Sequence, residues 1–290
     1  MSDNLSQAVS LAGKSERILT PDPGWFHFNF REVWDAREIA FRFAHRDLTS
    51  SFKQTVLGPM WLILPPIFTA LTFTIVFGQI AAIPTDGAPQ FLFYMLGSVF
   101  WSFFSSCITK TSGTFVGNGG IFGKVYFPRL TVPVASILFN LAQLSIQFLL
   151  FAGFYVVIAL KGAHISLNLA VVFLPLVVIQ LAVLGSGIGS FFSSLTVKYR
   201  DLSMMLGFGM QLWMYASCII FPLSSVPEKW RWLCVLNPVV PVIEFARYAC
   251  FGVGSFEPGY LVLSAAVSAL ALFVGLTAFK RMEATFMDTV

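Results

Sequence analysis

The sequence predicts an all-α polytopic membrane protein, on the basis of its composition, its long apolar stretches and the distribution of its positive charge. Of the 290 residues, 57% are hydrophobic and 11% are charged, whereas an ordinary soluble domain carries about 25% charged residues. This composition excludes a disordered chain, a small disulfide-bonded secreted domain and nearly every soluble enzyme of this length. The apolar stretches are continuous rather than alternating, so the pattern of a transmembrane β-barrel is excluded as well.

Six stretches are long enough to cross a membrane. A spanning helix needs about 20 consecutive residues that are mostly apolar and carry few or no charges. The segments between consecutive charged residues that satisfy this requirement are Gln54–Thr85, Gly87–Thr109, Leu130–Leu160, Gly162–Val197, Leu202–Pro227 and Pro258–Phe279. We therefore expect six transmembrane helices within one membrane domain, residues 54–282.

The distribution of positive charge predicts the orientation of these six spans. An even number of spans places both termini on the same side of the membrane. Most Lys and Arg residues precede the first span, lie between spans two and three or four and five, or follow the last span. The opposite side carries only Lys161, Lys229, Arg231 and Arg247. Because positively charged loops stay in the cytoplasm, we expect a cytoplasmic N-terminal segment over residues 1–30 and a cytoplasmic tail over residues 283–290.

An amphipathic helix is predicted over residues 31–53, directly ahead of the first span. Its apolar residues recur at helical spacing, and Glu38 lies four residues before Arg42 on another face, which is the favourable order for an ion pair. We expect this helix to lie in the cytoplasmic interface of the membrane. The alternative is a cytosolic helix that packs against a partner protein.

A second membrane-associated segment, Ser224–Glu257, is expected not to span. Its apolar run from Trp232 to Ile243 is too short to cross a bilayer and contains two prolines. Glu244 and Arg247 follow with a spacing of three residues. A re-entrant or interfacial helical hairpin on the outer side fits this pattern, provided that protein or a water-filled cavity covers its backbone.

Motifs for nucleotide binding and catalysis are incomplete. The stretch Asn118–Val125 resembles a phosphate-binding loop, but it has Asn at the first position and Val where the magnesium-binding hydroxyl belongs. Gly185–Ser190 lacks the third glycine of a dinucleotide fingerprint, and small residues four apart within a span favour close helix packing instead. The three histidines are scattered, and the four cysteines form no C-x-x-C pair. We expect no catalytic site, metal or cofactor on this chain, and no nucleic-acid partner.

Two sets of residues are candidates for function. Charges at the ends of the spans, together with the glycine-rich stretch Gly113–Gly123, indicate a cytoplasmic surface that binds another protein, although membrane anchoring explains any single charge equally well. Trp101, Trp213 and Tyr215 lie within predicted spans. The ordinary interpretation is an interfacial aromatic belt. The alternative is a lining for a substrate path, because an aromatic face packs against the apolar side of a sugar ring.

Four sequence blocks resemble one family. They are RDLTSSFKQTVLGPMWLILPP (Arg46–Pro66), KVYFPRLTVP (Lys124–Pro133), VKYRDL (Val197–Leu202) and LNPVVPVIEFAR (Leu236–Arg247). Together they are similar to the transmembrane permease of ABC-type polysaccharide exporters, the type-two ABC permeases that export O-antigen, capsule or teichoic acid. The similarity extends from about Arg46 to the last span.

The resemblance implies a homodimer of six-span permease subunits with two copies of a separate cytoplasmic ATPase, which would bind the ATP and Mg. The residues that would couple to this ATPase are Arg42, Arg46, Asp47, Lys53, Gly117, Gly123, Lys124 and Arg129. The residues that would shape an outer gate are Asn237, Pro238, Glu244 and Arg247.

The function that follows from the resemblance is export of a lipid-linked polysaccharide across the bacterial inner membrane. Two alternatives stay open. One is a small-molecule or drug exporter of the same fold. The other is a membrane-embedded glycosyl or acyl transferase, for which Glu244 and Arg247 are the available outer candidates; an ion pair between residues three apart explains those two more simply.

Overall fold

The computed structural model describes residues 30–53, 55–122, 127–163, 165–254 and 256–289, and all regular structure in this part of the chain is helical. The expected N-terminal segment up to residue 29 lies outside these residues. The α-helices are α1 (Phe30–Asp35), α2 (Arg37–Ser50), α3 (Leu64–Phe73), α4 (Gln90–Ser112), α5 (Thr114–Phe122), α6 (Thr131–Leu160), α7 (Leu174–Thr196), α8 (Leu202–Tyr215), α9 (Glu228–Leu236), α10 (Val239–Phe251) and α11 (Pro258–Thr289).

Five helical segments in the described residues are long and apolar enough to cross a membrane. They are Gly58–Ile80, Gln90–Ser112, Thr131–Leu160, Leu169–Thr196 and Pro258–Glu283. A sixth is present only if α9 and α10, which meet at an angle of 103°, are taken as one broken span. The prediction of an all-helical polytopic protein is therefore confirmed, with five to six candidate spans.

The prediction of a single fifth span over Leu202–Pro227 is wrong in its extent. Helix α8 has 14 residues and ends at Tyr215, so at 1.5 Å per residue it reaches about 21 Å, less than the bilayer core. The chain then turns at Cys218, whose φ of 52° lies in the left-handed region. Polar side chains of the α9–α10 segment form hydrogen bonds with the backbone of this turn. Hydropathy along the chain does not predict these long-range contacts.

The first span is continuous but irregular. Helix α3 lies between a 3₁₀ segment, Gly58–Leu62, and a π-helical segment, Thr74–Ile80. Amide side chains compensate both irregular ends: Gln147 Nε2 donates to Leu62 O at 3.1 Å, and Gln90 Nε2 donates to Gly78 O at 3.2 Å. Since lipid offers no hydrogen bonds to exposed backbone, these two buried or half-buried amides allow the helix to depart from regular geometry.

Helix α4 is the centre of the bundle. It is buried along most of its length and packs against α3, α6, α7, α8 and α10. Helix α7 approaches α4 closely at two glycines, Gly185 and Gly189, which have no side chain in the way. A Cβ atom on Gly185 would lie 2.7 Å from Cys107 Cβ, and one on Gly189 would lie 2.7 Å from Thr111 Cβ. The expectation that these glycines serve helix packing is confirmed.

Helix α2 packs along α6 and buries Ala40 and Ala44 four residues apart. A helix is therefore present where the sequence predicts one, although Ala36 separates it from the short α1. Trp34 of α1 and Phe41 of α2 are exposed. This arrangement leaves an aromatic and charged surface on α1 and α2 that the described residues do not cover.

Candidate functional site

Arg247 is the centre of a buried polar cluster at the end of the bundle that carries the bent helix pair α9–α10, here named the hairpin for its 103° bend. Its side chain is 1% exposed. Nη1 donates to Glu244 Oε1 at 2.8 Å, and Nη2 donates to Ile219 O at 2.9 Å. The guanidinium also stacks over the Phe93 ring, with 3.7 Å between Cζ and the ring centroid. The sequence-based expectation of an ion pair between residues 244 and 247 is confirmed.

Glu244 of α10 and Asn237, which lies between α9 and α10, complete this cluster. Glu244 Oε1 accepts a hydrogen bond from Leu223 N at 3.2 Å. Asn237 Nδ2 donates to Ala216 O at 3.2 Å and to Ser217 Oγ at 2.9 Å, and its Oδ1 accepts from Val239 N at 3.1 Å. The adjacent Pro238 carbonyl accepts a hydrogen bond from the Ser264 hydroxyl of α11.

The cluster therefore binds the irregular segment 216–223 that follows α8. Three polar side chains on the hairpin, Asn237, Glu244 and Arg247, supply partners for backbone groups that a helix would otherwise satisfy. A glycine makes room for the contact: a Cβ on Gly97 of α4 would lie 3.1 Å from Ile219 Cγ2 and 3.6 Å from Arg247 Nη2. Sequence reasoning identified the residues but not their backbone partners.

The three aromatic candidates separate into two environments. Trp101 is 7% exposed, and its ring centroid lies 6.3 Å from that of Trp213. Phe104 joins them at 5.3 Å from Trp213 with nearly perpendicular rings. Tyr215 is 45% exposed. Trp101 is thus a packing residue within this chain, with the half-buried Trp213 against it, whereas Tyr215 presents its side chain to the surroundings.

Arg129, at the opposite end of the bundle, faces inward. It is 7% exposed, and its Nη1 donates to Glu283 O, near the end of α11, at 2.7 Å. Its guanidinium lies 5.6 Å from the centroid of the Phe122 ring. Beside it, the Phe115 and Phe279 rings stack with 4.5 Å between centroids. Arg129 and these aromatic residues connect α5 and the start of α6 to α11.

Replacing Arg129 by alanine is expected to loosen the end of α11, because the Glu283 carbonyl loses a charge-assisted hydrogen bond worth about 1.5–3 kcal/mol. Hydrogen exchange in the peptide around residue 283 should become faster, while exchange in α4 stays unchanged. The matched control is Arg200→Ala, since Arg200 is exposed. Equal exchange in both variants at residue 283 would contradict the connection.

The other residues expected to couple to a partner lie mainly on the surface. Arg42 and Lys53 are exposed, and a Cβ on Gly117 would meet no atom within 4 Å. Arg46 pairs with Asp47 at 2.7 Å. Gly123 and Lys124 lie outside the described residues, so the structure says nothing of their positions.

Comparison with known proteins assigns the chain to a family. Residues 41–251 match the family model described as "ABC-2 type transporter". An O-antigen export system permease protein RfbA from Klebsiella pneumoniae is 25% identical over 246 residues, which cover 84% of this chain and 92% of the relative. The polysialic acid transport protein KpsM from Escherichia coli is 28% identical over 258 residues, with coverages of 84% and 93%.

A third relative, an RfbA from Myxococcus xanthus, is 22% identical over 265 residues and is covered for 98% of its length. The family match extends from α2 to the end of α10, so it includes the irregular first span, the central helix α4 and the polar cluster around Arg247. On this evidence the chain belongs to the ABC-2 type transporter family.

Proposed function

We propose that this chain is the permease subunit of an ABC exporter that moves a lipid-linked polysaccharide across the bacterial inner membrane. The observation that carries the proposal is the similarity, over most of both chains, to permeases named for O-antigen export and polysialic acid transport. The five to six apolar helical spans are consistent with it, because an exporter permease needs a domain that crosses the membrane. Both termini lie in the cytoplasm and the α9–α10 hairpin lies on the outer side.

In this proposal a separate cytoplasmic ATPase, present in two copies, binds ATP and Mg and drives transport. Its docking surface on this chain combines Arg42, Arg46 and Asp47 of α2 and the nearby Lys53 with Gly117 of α5. Gly123 and Lys124, which follow α5 in the sequence, belong to the same surface in this proposal. Arg129 has a different part in the proposal. Because it is buried against Glu283, it passes movement of the α5 region to α11.

A homodimer forms the conduit. Helix α8 presents a row of large exposed side chains on one face, and the first span is also exposed along much of its length. The exposed side chains on α8 are Met204, Met205, Phe208, Leu212 and Tyr215. We assign this face to the second copy and to the polymer between the copies, with Tyr215 as the aromatic platform for sugar rings.

Exchange of Tyr215 for alanine is expected to reduce polymer export while leaving thermal stability nearly unchanged, because the side chain is exposed. Trp101→Ala serves as the contrasting variant. Removing this packed indole should destabilise the protein by about 3–5 kcal/mol, so its export falls through loss of folded protein. Export per folded molecule separates the two cases. Unchanged export by Tyr215→Ala would remove this residue from the conduit.

The two alternatives receive less support from the structure. A transferase would need a carboxylate that substrate can reach, whereas Glu244 is 2% exposed and its Oε1 accepts hydrogen bonds from Arg247 Nη1 and Leu223 N. A small-molecule exporter has the same fold, but the relatives with high coverage are named for polysaccharide transport.

Deletion of the gene in its own cell tests the proposal. We expect surface polysaccharide to disappear, polymer to accumulate inside the inner membrane, and a plasmid copy of the chain to restore export. Normal surface polysaccharide in the deletion strain would overturn the proposal, as would rescue by a chain that lacks α8.

A further inference from the structure

The segment that ends α8 has a sequence suited to continue the helix. Residues 216–221 contain neither glycine nor proline, and the following Pro222 would end an extended helix at or before Phe221. Winding residues 216–221 onto the 14 residues of α8 would lengthen it from about 21 Å to about 30 Å. That length matches the hydrocarbon core of a bilayer, which is why hydropathy alone predicts a full span here.

Long-range side-chain contacts, rather than local sequence, keep this segment from winding. Asn237 binds Ala216 O, which would otherwise accept a hydrogen bond from the next helical turn. Arg247 binds Ile219 O at 2.9 Å and reaches Phe221 O at 3.5 Å. All of these contacts come from the α9–α10 hairpin, so a shift of the hairpin would release several of them together.

Cys218 has an unfavourable backbone conformation in the turn that follows α8. Its φ of 52° is uncommon for a residue with a side chain, and only glycine adopts it without steric cost. The side chain is nevertheless fully buried, in a cluster with Leu223, Val235 and Val240. Helical backbone at Cys218 would relieve the strained conformation while giving up this packing and the contacts from the hairpin.

We propose that residues 216–221 are a bistable segment. In one state it is a turn bonded by Asn237 and by Arg247, which Glu244 positions; in the other it is an extension of α8. The inference rests on the proposed function and deepens it: the two states set the length of α8 at the outer end of the conduit. Winding the segment detaches it from the hairpin and frees the hairpin to move away from the polymer path. Asn237 and Arg247 are then positioning residues for transport.

A reversible cross-link tests whether the segment must leave the turn during transport. Ser217 Oγ and Asn237 Nδ2 are 2.9 Å apart, so Ser217→Cys with Asn237→Cys should form a disulfide that holds the turn. We expect polymer export to stop under oxidation and to return when a thiol reductant is added. The control pair is Ser106→Cys with Asn140→Cys, because the native Ser106 Oγ and Asn140 Oδ1 are 2.9 Å apart between α4 and α6. It should export in both conditions.

Export by the oxidised 217–237 pair at the rate of its reduced form would overturn the switch. If neither the wild type nor the control pair exports polymer, the proposed function fails, and a second measurement decides the switch alone. Spin labels at residues 203 and 221 would be about 27 Å apart along a continuous helix. This distance should be more populated in Cys218→Ala than in Cys218→Gly, because glycine favours the turn and disfavours helix. Its absence from both variants would also overturn the switch.

Discussion

Replacing Arg247 by methionine is expected to lower the free energy of unfolding by about 3–5 kcal/mol, because it leaves the buried Glu244 carboxylate without its ion-pair partner. The same change removes the donor to Ile219 O, one of the carbonyls in the turn after α8. Methionine keeps a similar length and an apolar stem, so the loss reports on the guanidinium rather than on a cavity. The measurement is unfolding by denaturant in mixed micelles.

Two further variants isolate the cause of that loss. Lys229→Met is the control for removing a positive charge at this end of the bundle, since Lys229 is exposed, and it should change stability by less than about 1 kcal/mol. The double variant Glu244→Leu with Arg247→Met should be more stable than Arg247→Met alone, because no unpaired charge stays buried. If Arg247→Met were as stable as Lys229→Met, the buried cluster would have no structural importance.

The second large effect is expected where α7 crosses α11. Gly187 and Gly275 face each other there, and a Cβ on Gly275 would clash with the backbone of Gly187. A Cβ on Gly187 would lie 2.6 Å from Ala271 C. We expect Gly275→Ala to destabilise the protein by about 3 kcal/mol, at the upper end for overpacking, because the obstacle is backbone rather than a movable side chain.

Gly153→Ala provides the matched control for the crossing. Gly153 lies in the long helix α6, and a Cβ there would meet no atom within 4 Å; alanine also has the higher helix propensity. This variant should therefore match or slightly exceed the wild type in thermal stability. Equal stability of Gly275→Ala and Gly153→Ala would show that α7 and α11 do not approach as closely as the structure indicates.

Hydropathy predicted the regular spans well, because an apolar helix in lipid satisfies all its backbone hydrogen bonds within itself. The third span was expected over Leu130–Leu160 and occupies Thr131–Leu160. The same reasoning failed for Leu202–Pro227, where the chain leaves the helix after Tyr215. The partners that stabilise this departure lie about 20 to 30 residues further along the chain, and no pattern local to the segment indicates them.

The candidate site shows the same division between local and long-range information. The spacing of Glu244 and Arg247 was sufficient to predict their ion pair. The inward position of Arg129 was not predictable, because its partner Glu283 is 154 residues away. For Arg247, by contrast, the sequence did indicate burial. This residue follows an apolar run that includes two prolines, and a charge in such surroundings needs a specific partner.

The most direct test of this account is ATP-driven movement of polymer across vesicles reconstituted with this chain and the cytoplasmic ATPase of the same cell. The account predicts that lipid-linked polysaccharide crosses the membrane only when both proteins and ATP are present, and that this chain alone hydrolyses no ATP. Nucleotide hydrolysis by the isolated chain, or polymer movement without the ATPase, would contradict it.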